Sequence, residues 1–542
     1  MTMRLTFDLE QPRPSDLFNI AEACCDRWAR REPQRLALVQ KNKDGSVSRY
    51  SYLELQKASN RLANALVKRG IRPGDRVGIM LPQRLEAAIA HIALYRLGAI
   101  AVPLFVLFGL DAIRHRASDC EMSALITDRN GCERLGSIWH ELPELKLCFC
   151  TDGATDDARV VDYRTETQAA SDAFETYAST AEDPALIIYT SGTTGHPKGA
   201  LHAHRVLLGH VPGVSVSHDG LPQPEDVIWT PADWAWIGGL LDVLLPALYL
   251  GVAVVAHRAE KFEPKAAFAL IEELGIRNIF FPPTALKLLR QVANPEARWR
   301  MRVRTIASGG ESLGAELIAW GRQTFGVTIN EFYGQTECNL VLSSSNSQKV
   351  HKIGAIGKAV PGYNVRVIDA HGNEMADNEP GCIAVETPNM TQMLRYWNNP
   401  EATAEKYVGY WLVTGDSGYR DSEGYIHFLG RDDDVITSAG YRIGPTPIED
   451  CLFNHPAVKL AAVIGKRDDT RTEIVKACIV LAEGYVGSPE LILEMQNYVR
   501  QNLAAHEYPR EIEFFDALPM TATGKIMRRA LRDRENQKEN VA

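Results

Sequence analysis

The sequence lacks the features that mark zinc-binding and exported proteins. None of its ten cysteines stands in a C-x-x-C pair, and no histidine cluster accompanies them. Scattered cysteines of this kind are expected to be reduced thiols in a reducing compartment. The first residues carry acidic side chains and prolines where a secretory signal needs a basic segment followed by an apolar one. We therefore expect a cytoplasmic protein.

An excess of positive charge is also absent. Lys and Arg number 59 against 68 Asp and Glu, which gives a formal net charge of -9 and predicts no nucleic-acid partner. Long-period repeats and low-complexity tracts are missing as well. At 542 residues and 45% hydrophobic content, the chain is long enough to form two or more globular units.

Long uncharged runs are nearly absent. One stretch, residues 237–256, has the length of a membrane span, and Asp242 is its single charge. Pro246 and Gly251 divide this stretch, and β-branched residues follow. The pattern favours a buried helix that leads into a buried strand, so we predict no membrane span.

What the sequence does have is an alternation of amphipathic helices and short apolar strands over residues 50–430, which predicts an α/β fold. Beyond this region, two strand-like runs and a helix over about 489–503 predict a small α+β domain. We expect the charged tail, residues 532–542, to be frayed. A charged, glycine-rich junction places the domain boundaries at 1–431 and 432–542.

The most informative segment is YTSGTTGHPKG, residues 189–199. An apolar strand enters a loop that offers glycine backbone N–H groups, hydroxyl side chains and a lysine, and such groups bind phosphate. The GxxxxGK[ST] spacing of a Walker A loop is absent. Because glycine-rich loops also occur as plain turns, composition alone does not identify the ligand.

Four further motifs follow this loop. They are SGGESL (308–313), FYGQTE (332–337), TGDSGY (414–419) and PMTATGKIMRR (519–529). The ordered set resembles that of the adenylate-forming superfamily of acyl- and aryl-CoA synthetases, luciferases and peptide-synthetase adenylation domains. The resemblance spans about residues 50–530 and is strongest to short- and medium-chain acyl-CoA synthetases.

The resemblance implies an architecture and a ligand set. The implied fold is a large N-terminal AMP-binding region of helix-covered sheets with a small β-barrel-like part, followed by a small mobile α+β domain hinged near Asp433. The implied ligands are ATP, Mg²⁺, coenzyme A and a small carboxylic acid. The sequence leaves the oligomeric state open, with a homodimer as one alternative.

Residue by residue, the resemblance places ATP along the loop and the next motifs. Its phosphates would meet Thr190, Ser191, Gly192, Thr193, Thr194, Gly195 and Lys198. Adenine would stack on Tyr333 beside Gly334 and Gln335, with Gly309, Gly310, Glu311 and Ser312 along its edge. Asp416 would accept hydrogen bonds from the ribose hydroxyls, and Arg431 would support ribose or phosphate. A turn with Ser312 as a helix N-cap is compatible with this contact.

The catalytic residues implied by the resemblance are Lys525, Lys198, Thr336 and Glu337, with Glu337 as the Mg²⁺ ligand. Lys525 would meet both the acyl carboxylate and the α-phosphate during adenylation. Ala439, Gly440, Tyr441 and Arg471 correspond to coenzyme A contacts, and Arg442 to a nucleotide-phosphate contact.

An acyl pocket lined by Trp234, Trp236 and Gly334 is also implied. Acetate-specific relatives carry tryptophan at the position of Gly334, so we expect this chain to prefer acids longer than acetate or propionate, or aryl acids. The implied activity is that of an AMP-forming acyl-CoA synthetase for short- or medium-chain acids. The alternatives are an aryl-CoA ligase, a free-standing adenylation enzyme, a luciferase or a binding protein, although a binding protein would be expected to have lost Lys525 or Glu337.

Overall fold

The structure is a computed structural model that describes nearly the whole chain. The described residues are 13, 15–190, 196–258, 261–431, 434–438, 441–468, 471–503, 507–521 and 526–541. Within them the predicted α/β class and the α+β C-terminal unit are both confirmed.

The first sheet carries the predicted phosphate loop. Its described strands pair in parallel, except for the antiparallel partners at the edge that holds the loop. In sheet order they are Arg395–Tyr396, Lys198–Ala203, Pro184–Thr190, Ile100–Pro103, Arg76–Met80, Ala124–Thr127, Leu147–Cys150 and Val160–Asp162.

The second sheet carries the adenine and acyl motifs. Its order is Lys358–Ala359, Cys338–Ser343, Ile329–Gln335, Thr305–Gly309, Asn278–Phe280, Val227–Trp229, Ala253–Ala256, Leu36–Lys41 and Val47–Ser51. Side chains from this sheet and from the first share one hydrophobic core. Ligand loops at strand ends of both sheets can therefore face one cleft.

Helices cover both sheets, as the hydrophobic spacing predicts. The predicted helix near residues 55–66 is Tyr52–Lys68, and its start is fixed because Ser51 and Glu54 form a reciprocal capping box. The other N-terminal helices are Glu22–Asp26, Arg27–Arg31, Leu85–Leu97, Leu110–Asp119, Arg129–Ile138, Trp139–Glu141, Tyr163–Gln168, Val206–Ser217, Pro264–Leu274, Pro283–Leu289, Pro295–Arg298, Ala315–Phe325 and Pro400–Ala404.

The apolar run at 237–256 forms a buried helix and then a strand, as predicted. Helical residues Ile237–Gly239 continue into a π-helical turn, Leu240–Leu244, and into Leu245–Leu250. Gly251, at φ 74°, ends the helix before strand Ala253–Ala256. In the described part of the chain, no helix has both the length and the apolar character that crossing a bilayer requires.

A third, antiparallel sheet follows the two large ones and corresponds to the predicted barrel-like part. Its longest strand, Trp411–Arg420, contains Asp416, and Arg431 ends the neighbouring strand. The described strands are Val365–Ile368, Gly381–Glu386, Trp411–Arg420, Tyr407–Val408 and Ile426–Arg431.

The C-terminal unit is a fourth sheet covered by helices. The strands are Tyr441–Ile443, Ile436–Ser438, Thr472–Leu481, Val458–Asp468 and Glu511–Phe514, and the helices are Pro445–Phe453, Pro489–Asn502 and Arg528–Val541. The expectation of a frayed tail was wrong. The last helix is held because Glu535 lies 2.8 Å from the ammonium of Lys476, which is buried among three carboxylates.

One local expectation also needs correction. The helix predicted to begin at Ser312 begins at Ala315, and its N-cap is Gly314, which makes no side-chain capping bond. Ser312 is therefore not a helix cap.

Candidate active site

The predicted phosphate loop connects two antiparallel strands at the edge of the first sheet. Thr190 and Lys198 pair directly across these strands, so the two residues that flank the loop lie side by side. Residues 191–195, which include Ser191, Gly192, Thr193, Thr194 and Gly195, lie outside the described residues.

Lys198 and Glu337 meet at one aromatic side chain, that of Tyr396. The Lys198 ammonium lies 5.3 Å from the centre of the Tyr396 ring, and the Tyr396 hydroxyl donates a hydrogen bond to Glu337 Oε1. Burial and the Glu337 carboxylate raise the pKa of Tyr396 well above its usual range, which keeps the hydroxyl a donor. Tyr396 belongs to none of the sequence motifs, and its strand, Arg395–Tyr396, is only two residues long.

Asp416 is the centre of a second polar cluster. The hydroxyl of Tyr333 donates to Asp416 Oδ2 at 2.5 Å, and Gln335 Nε2 donates to the same oxygen at 2.7 Å. Arg431 Nε lies 3.6 Å from the other carboxylate oxygen. Burial raises the pKa of Asp416, and the Arg431 guanidinium opposes that rise. Lys406, which sequence reasoning missed, completes the cluster at 3.4 Å from Gln335 Oε1.

The segment at 309–312 runs close beside the strand that carries Tyr333. A side chain at Gly309 would place its Cβ 2.8 Å from the backbone oxygen of Phe332, so only glycine fits there. Gly310 has φ 95°, a left-handed conformation that also favours glycine. Glu311 accepts a hydrogen bond from Thr284 at 3.1 Å. The residues predicted along adenine therefore lie at the end of strand Thr305–Gly309, next to the Tyr333 strand.

A cavity of about 60 Å³ opens between these clusters. Two of its lining residues are aromatic, Trp236 and Phe332, and both pack on Phe280, at 5.6 Å and 5.1 Å between ring centres. Trp234 is 2% exposed, belongs to the hydrophobic core and is not among the lining residues. The lining residues are Trp236, Ile237, Asp242, Gly310, Phe332, Gly334, Gln335, Thr336 and Asn339.

The C-terminal unit packs against the face that carries the 309–312 segment. The Lys287 ammonium lies 5.0 Å from the centre of the Phe453 ring, and a Cβ at Gly314 would lie 3.9 Å from the Asp450 carboxylate. The guanidinium of Arg528 is near enough to Glu311 for the two charges to attract each other. The C-terminal unit therefore borders the cleft.

The predicted contacts of the C-terminal unit fall partly outside the described residues. Lys525, Ala439 and Gly440 lie outside the described residues, as does the hinge position Asp433. Backbone pairing between Met520 and Ile526 holds together the ends of the segment that contains Lys525. The backbones of Tyr441 and Arg442 lie in strand Tyr441–Ile443. Arg471 lies at a hairpin, where its N–H donates to Asp468 at 2.8 Å.

The chain matches two family models over most of its length. The model of the family described as AMP-binding enzyme matches residues 25–397, and that of its C-terminal domain matches residues 447–525. This chain belongs to the AMP-binding enzyme family. A curated relative, the acetyl-coenzyme A synthetase of Bacillus subtilis (strain 168), is 35% identical over 489 residues, which cover 89% of this chain and 85% of the relative.

Two solved structures extend the likeness over nearly the full length. The acyl-CoA synthetase of Brucella canis is 34% identical with a TM-score of 0.75, and the alignment covers 97% of this chain and 96% of that one. The anthranilate CoA ligase AuaEII in complex with anthranoyl-AMP is 27% identical with a TM-score of 0.88, and the alignment covers 96% and 97%. The fold and the order of the motifs are therefore those of adenylate-forming enzymes.

Proposed function

We propose that this chain is an ATP-dependent, AMP-forming acyl-CoA synthetase that activates a short- or medium-chain carboxylic acid. One observation carries the proposal: the five residues from 333 to 337 reach all three parts of the cleft. Tyr333 and Gln335 contact Asp416, Thr336 lines the cavity, and Glu337 bonds to Tyr396 beside Lys198. A nucleotide bound along this segment would present its α-phosphate next to the cavity, where an acid would bind.

In the proposed first step, an oxygen of the substrate carboxylate attacks the α-phosphorus of ATP. The bond from phosphorus to the bridging oxygen of pyrophosphate breaks, and an acyl-adenylate forms. Lys198, held beside the Tyr396 ring, offsets charge on the phosphates. We propose that Lys525 also offsets charge on the phosphates when the C-terminal unit closes on the cleft. The position of Arg528, a residue of the same unit, near Glu311 supports this proposal.

Glu337 is suited to hold Mg²⁺ in this site. Its carboxylate is a hard oxygen ligand beside the phosphate loop, it is 7% exposed, and Tyr396 fixes one of its oxygens. When bound, the ion would neutralise negative charge on the phosphates.

In the proposed second step, the sulfur of coenzyme A attacks the acyl carbon and AMP leaves with the bonding electron pair. The thiol proton passes to solvent. We assign the thiol arm to Ala439, Gly440, Tyr441 and Arg471, and phosphate contact to Arg442, on the family resemblance. The same resemblance supports two units, 1–431 and 432–542, that reorient about Asp433 between the steps.

The cavity bears on which acid is used. Gly334 lines the cavity at the position where the resemblance gives acetate-specific enzymes a tryptophan, and this supports acids longer than acetate or propionate. The aromatic side chains that line the cavity, Trp236 and Phe332, also suit a flat ring, so an aryl acid is the second candidate. We further propose a cytoplasmic location, which is supported because no disulfide links the ten described cysteines, and we propose a homodimer as the oligomeric state.

Product analysis tests the proposed function directly. Purified protein is supplied with ATP, Mg²⁺ and acids of two to ten carbons or benzoate, with and without coenzyme A, and pyrophosphate, AMP and thioester are quantified. We expect AMP and thioester in equal amounts, and only with coenzyme A. A sharp optimum at acetate would refute the chain-length proposal. Acyl-adenylate that accumulates with coenzyme A present would indicate a free-standing adenylation enzyme, and no pyrophosphate from any acid would refute an enzymatic role.

A further inference from the structure

The cavity contains a buried carboxyl group that the proposed reaction does not use. Asp242 is 3% exposed and lines the cavity together with Thr336 and Trp236. It is also the single charge in the apolar run, and its neighbours Leu241 and Val243 are fully buried. Burying a carboxyl group among apolar side chains costs free energy unless a partner satisfies it, so its presence here calls for a partner.

The protein itself satisfies this carboxyl group only in part. Asn339 Nδ2 donates to Asp242 Oδ1 at 2.7 Å, and this is the one hydrogen bond that the described residues make to the carboxyl group. A carboxyl group has room for several hydrogen bonds, so capacity remains on the cavity side. Asn339 is itself 4% exposed and lines the same cavity. We call these two residues the polar pair.

Two features of the backbone hold the polar pair in place. Asp242 lies in the π-helical turn Leu240–Leu244, and such turns occur frequently at functional sites. Asn339 packs against position 334, where an added Cβ would lie 2.5 Å from Asn339 Oδ1. Glycine at 334 therefore makes room for the Asn339 amide.

We propose that the polar pair selects an acid that carries a hydroxyl or amino substituent away from its carboxylate, a specificity that rests on the proposed function. Thr336 lines the cavity beside the reacting end, and the polar pair supplies a second polar contact for the acid. An unsubstituted alkyl chain would bury the free side of Asp242 without a partner. Sites built to hydrogen-bond a substrate group discriminate strongly against analogues that lack it.

The ionisation of Asp242 distinguishes the two substituents. Burial raises the pKa of Asp242 well above its usual range, which favours a neutral carboxyl group that both donates to and accepts from a hydroxyl. An ammonium group would instead hold the carboxyl group ionised, because the opposite charge favours the charged form. Both substituents share one recognition chemistry, donation of a hydrogen bond to Asp242.

The first experiment compares matched acids on the intact enzyme. Thioester formation is measured for butyrate, 3- and 4-hydroxybutyrate, 4-aminobutyrate, benzoate and hydroxy- or aminobenzoates. We expect the best substituted acid to exceed its unsubstituted partner in kcat/KM by at least about tenfold. Equal or better turnover of every unsubstituted acid would overturn the specificity while leaving the synthetase function intact. No thioester from any acid would instead remove the synthetase function, and the specificity with it.

The second experiment tests the residues. Asp242→Leu should reduce the ratio of kcat/KM between the substituted and the unsubstituted acid to within about threefold. The main cause should be a higher kcat/KM for the unsubstituted acid. The isosteric Asp242→Asn keeps the size of the side chain, and it should preserve much of a hydroxyl preference but abolish an amino preference. Val243→Ala changes the same turn at a residue that does not line the cavity, and it should leave the ratio unchanged. A preference unaltered in both folded Asp242 variants would overturn the proposal.

Discussion

The nucleotide side of the cleft and its acyl side each bury an aspartate, and the two are partnered differently. Asp416 is 5% exposed and has the hydroxyl of Tyr333, the amide of Gln335 and the guanidinium of Arg431 around it. Asp242 is 3% exposed and has Asn339 as its one hydrogen-bond partner among the described residues. The protein therefore holds the Asp416 carboxylate in place with its own side chains. Part of the hydrogen-bonding capacity of Asp242 remains for a ligand in the cavity.

The largest effect should come from the nucleotide side. Glu337→Gln keeps the size and the bond to Tyr396 but removes the charge that suits Mg²⁺, so we expect kcat to fall about 100- to 1,000-fold. Excess Mg²⁺ should not restore it. Steady-state AMP formation over a range of Mg²⁺ concentrations gives the measurement. Full recovery at high Mg²⁺ would show that Glu337 affects only the affinity for the ion.

Asp416→Ala should have the next largest effect, because it removes the carboxylate that accepts hydrogen bonds from Tyr333 and Gln335 and pairs with the Arg431 guanidinium. We expect kcat/KM for ATP to fall about 100-fold or more, since hydrogen bonds to charged groups are worth about 1.5–3 kcal/mol each. The KM for the acid should change much less than the KM for ATP. Separate titrations of ATP and acid test this, and an equal rise in both KM values would place Asp416 outside nucleotide binding.

Gly334→Ala tests the junction of the two sides. Its Cβ would lie 2.3 Å from the backbone nitrogen of Leu340, so the strand must shift, and we expect a loss of about 1–3 kcal/mol of unfolding free energy. Because Asn339 must also move, kcat/KM for the preferred acid should fall more than that for ATP. Denaturant unfolding and acid kinetics measure the two effects. An unfolding free energy equal to that of the wild type would show that position 334 accommodates a larger residue.

Tyr396→Phe should have the smallest effect. The ring that packs against Lys198 stays, and only the hydrogen bond to Glu337 is lost, so we expect kcat to fall about three- to tenfold. Tyr407→Phe is a suitable control, because its hydroxyl contacts Gln392 at 3.4 Å instead. Equal losses in the two variants would show that the Tyr396 hydroxyl has no special part in orienting Glu337.

Much of the site follows from local pattern. The strands before the phosphate loop and the FYGQTE motif are apolar runs that end in glycine-rich or polar segments, and the structure has them at Pro184–Thr190 and Ile329–Gln335. Predictions from local sequence pattern fail where contacts between distant residues determine the structure. The polar tail is predicted to be frayed, yet it is helical because Glu535 contacts Lys476, a buried lysine on strand Thr472–Leu481. Trp234 and Trp236 stand two residues apart, and only Trp236 lines the cavity.

The sequence by itself determined the α/β class, the order of the motifs and the chemistry they imply, because periodicity and motif spacing are local properties of a chain. Tertiary structure alone brought Tyr396 against Glu337 and Asn339 against Asp242, partners that are 59 and 97 residues apart. Such pairings depend on which strands and helices become neighbours, and no local pattern carries that information. Asp242 is a single charge in an apolar run of the sequence, and only the folded structure shows that it lines the cavity.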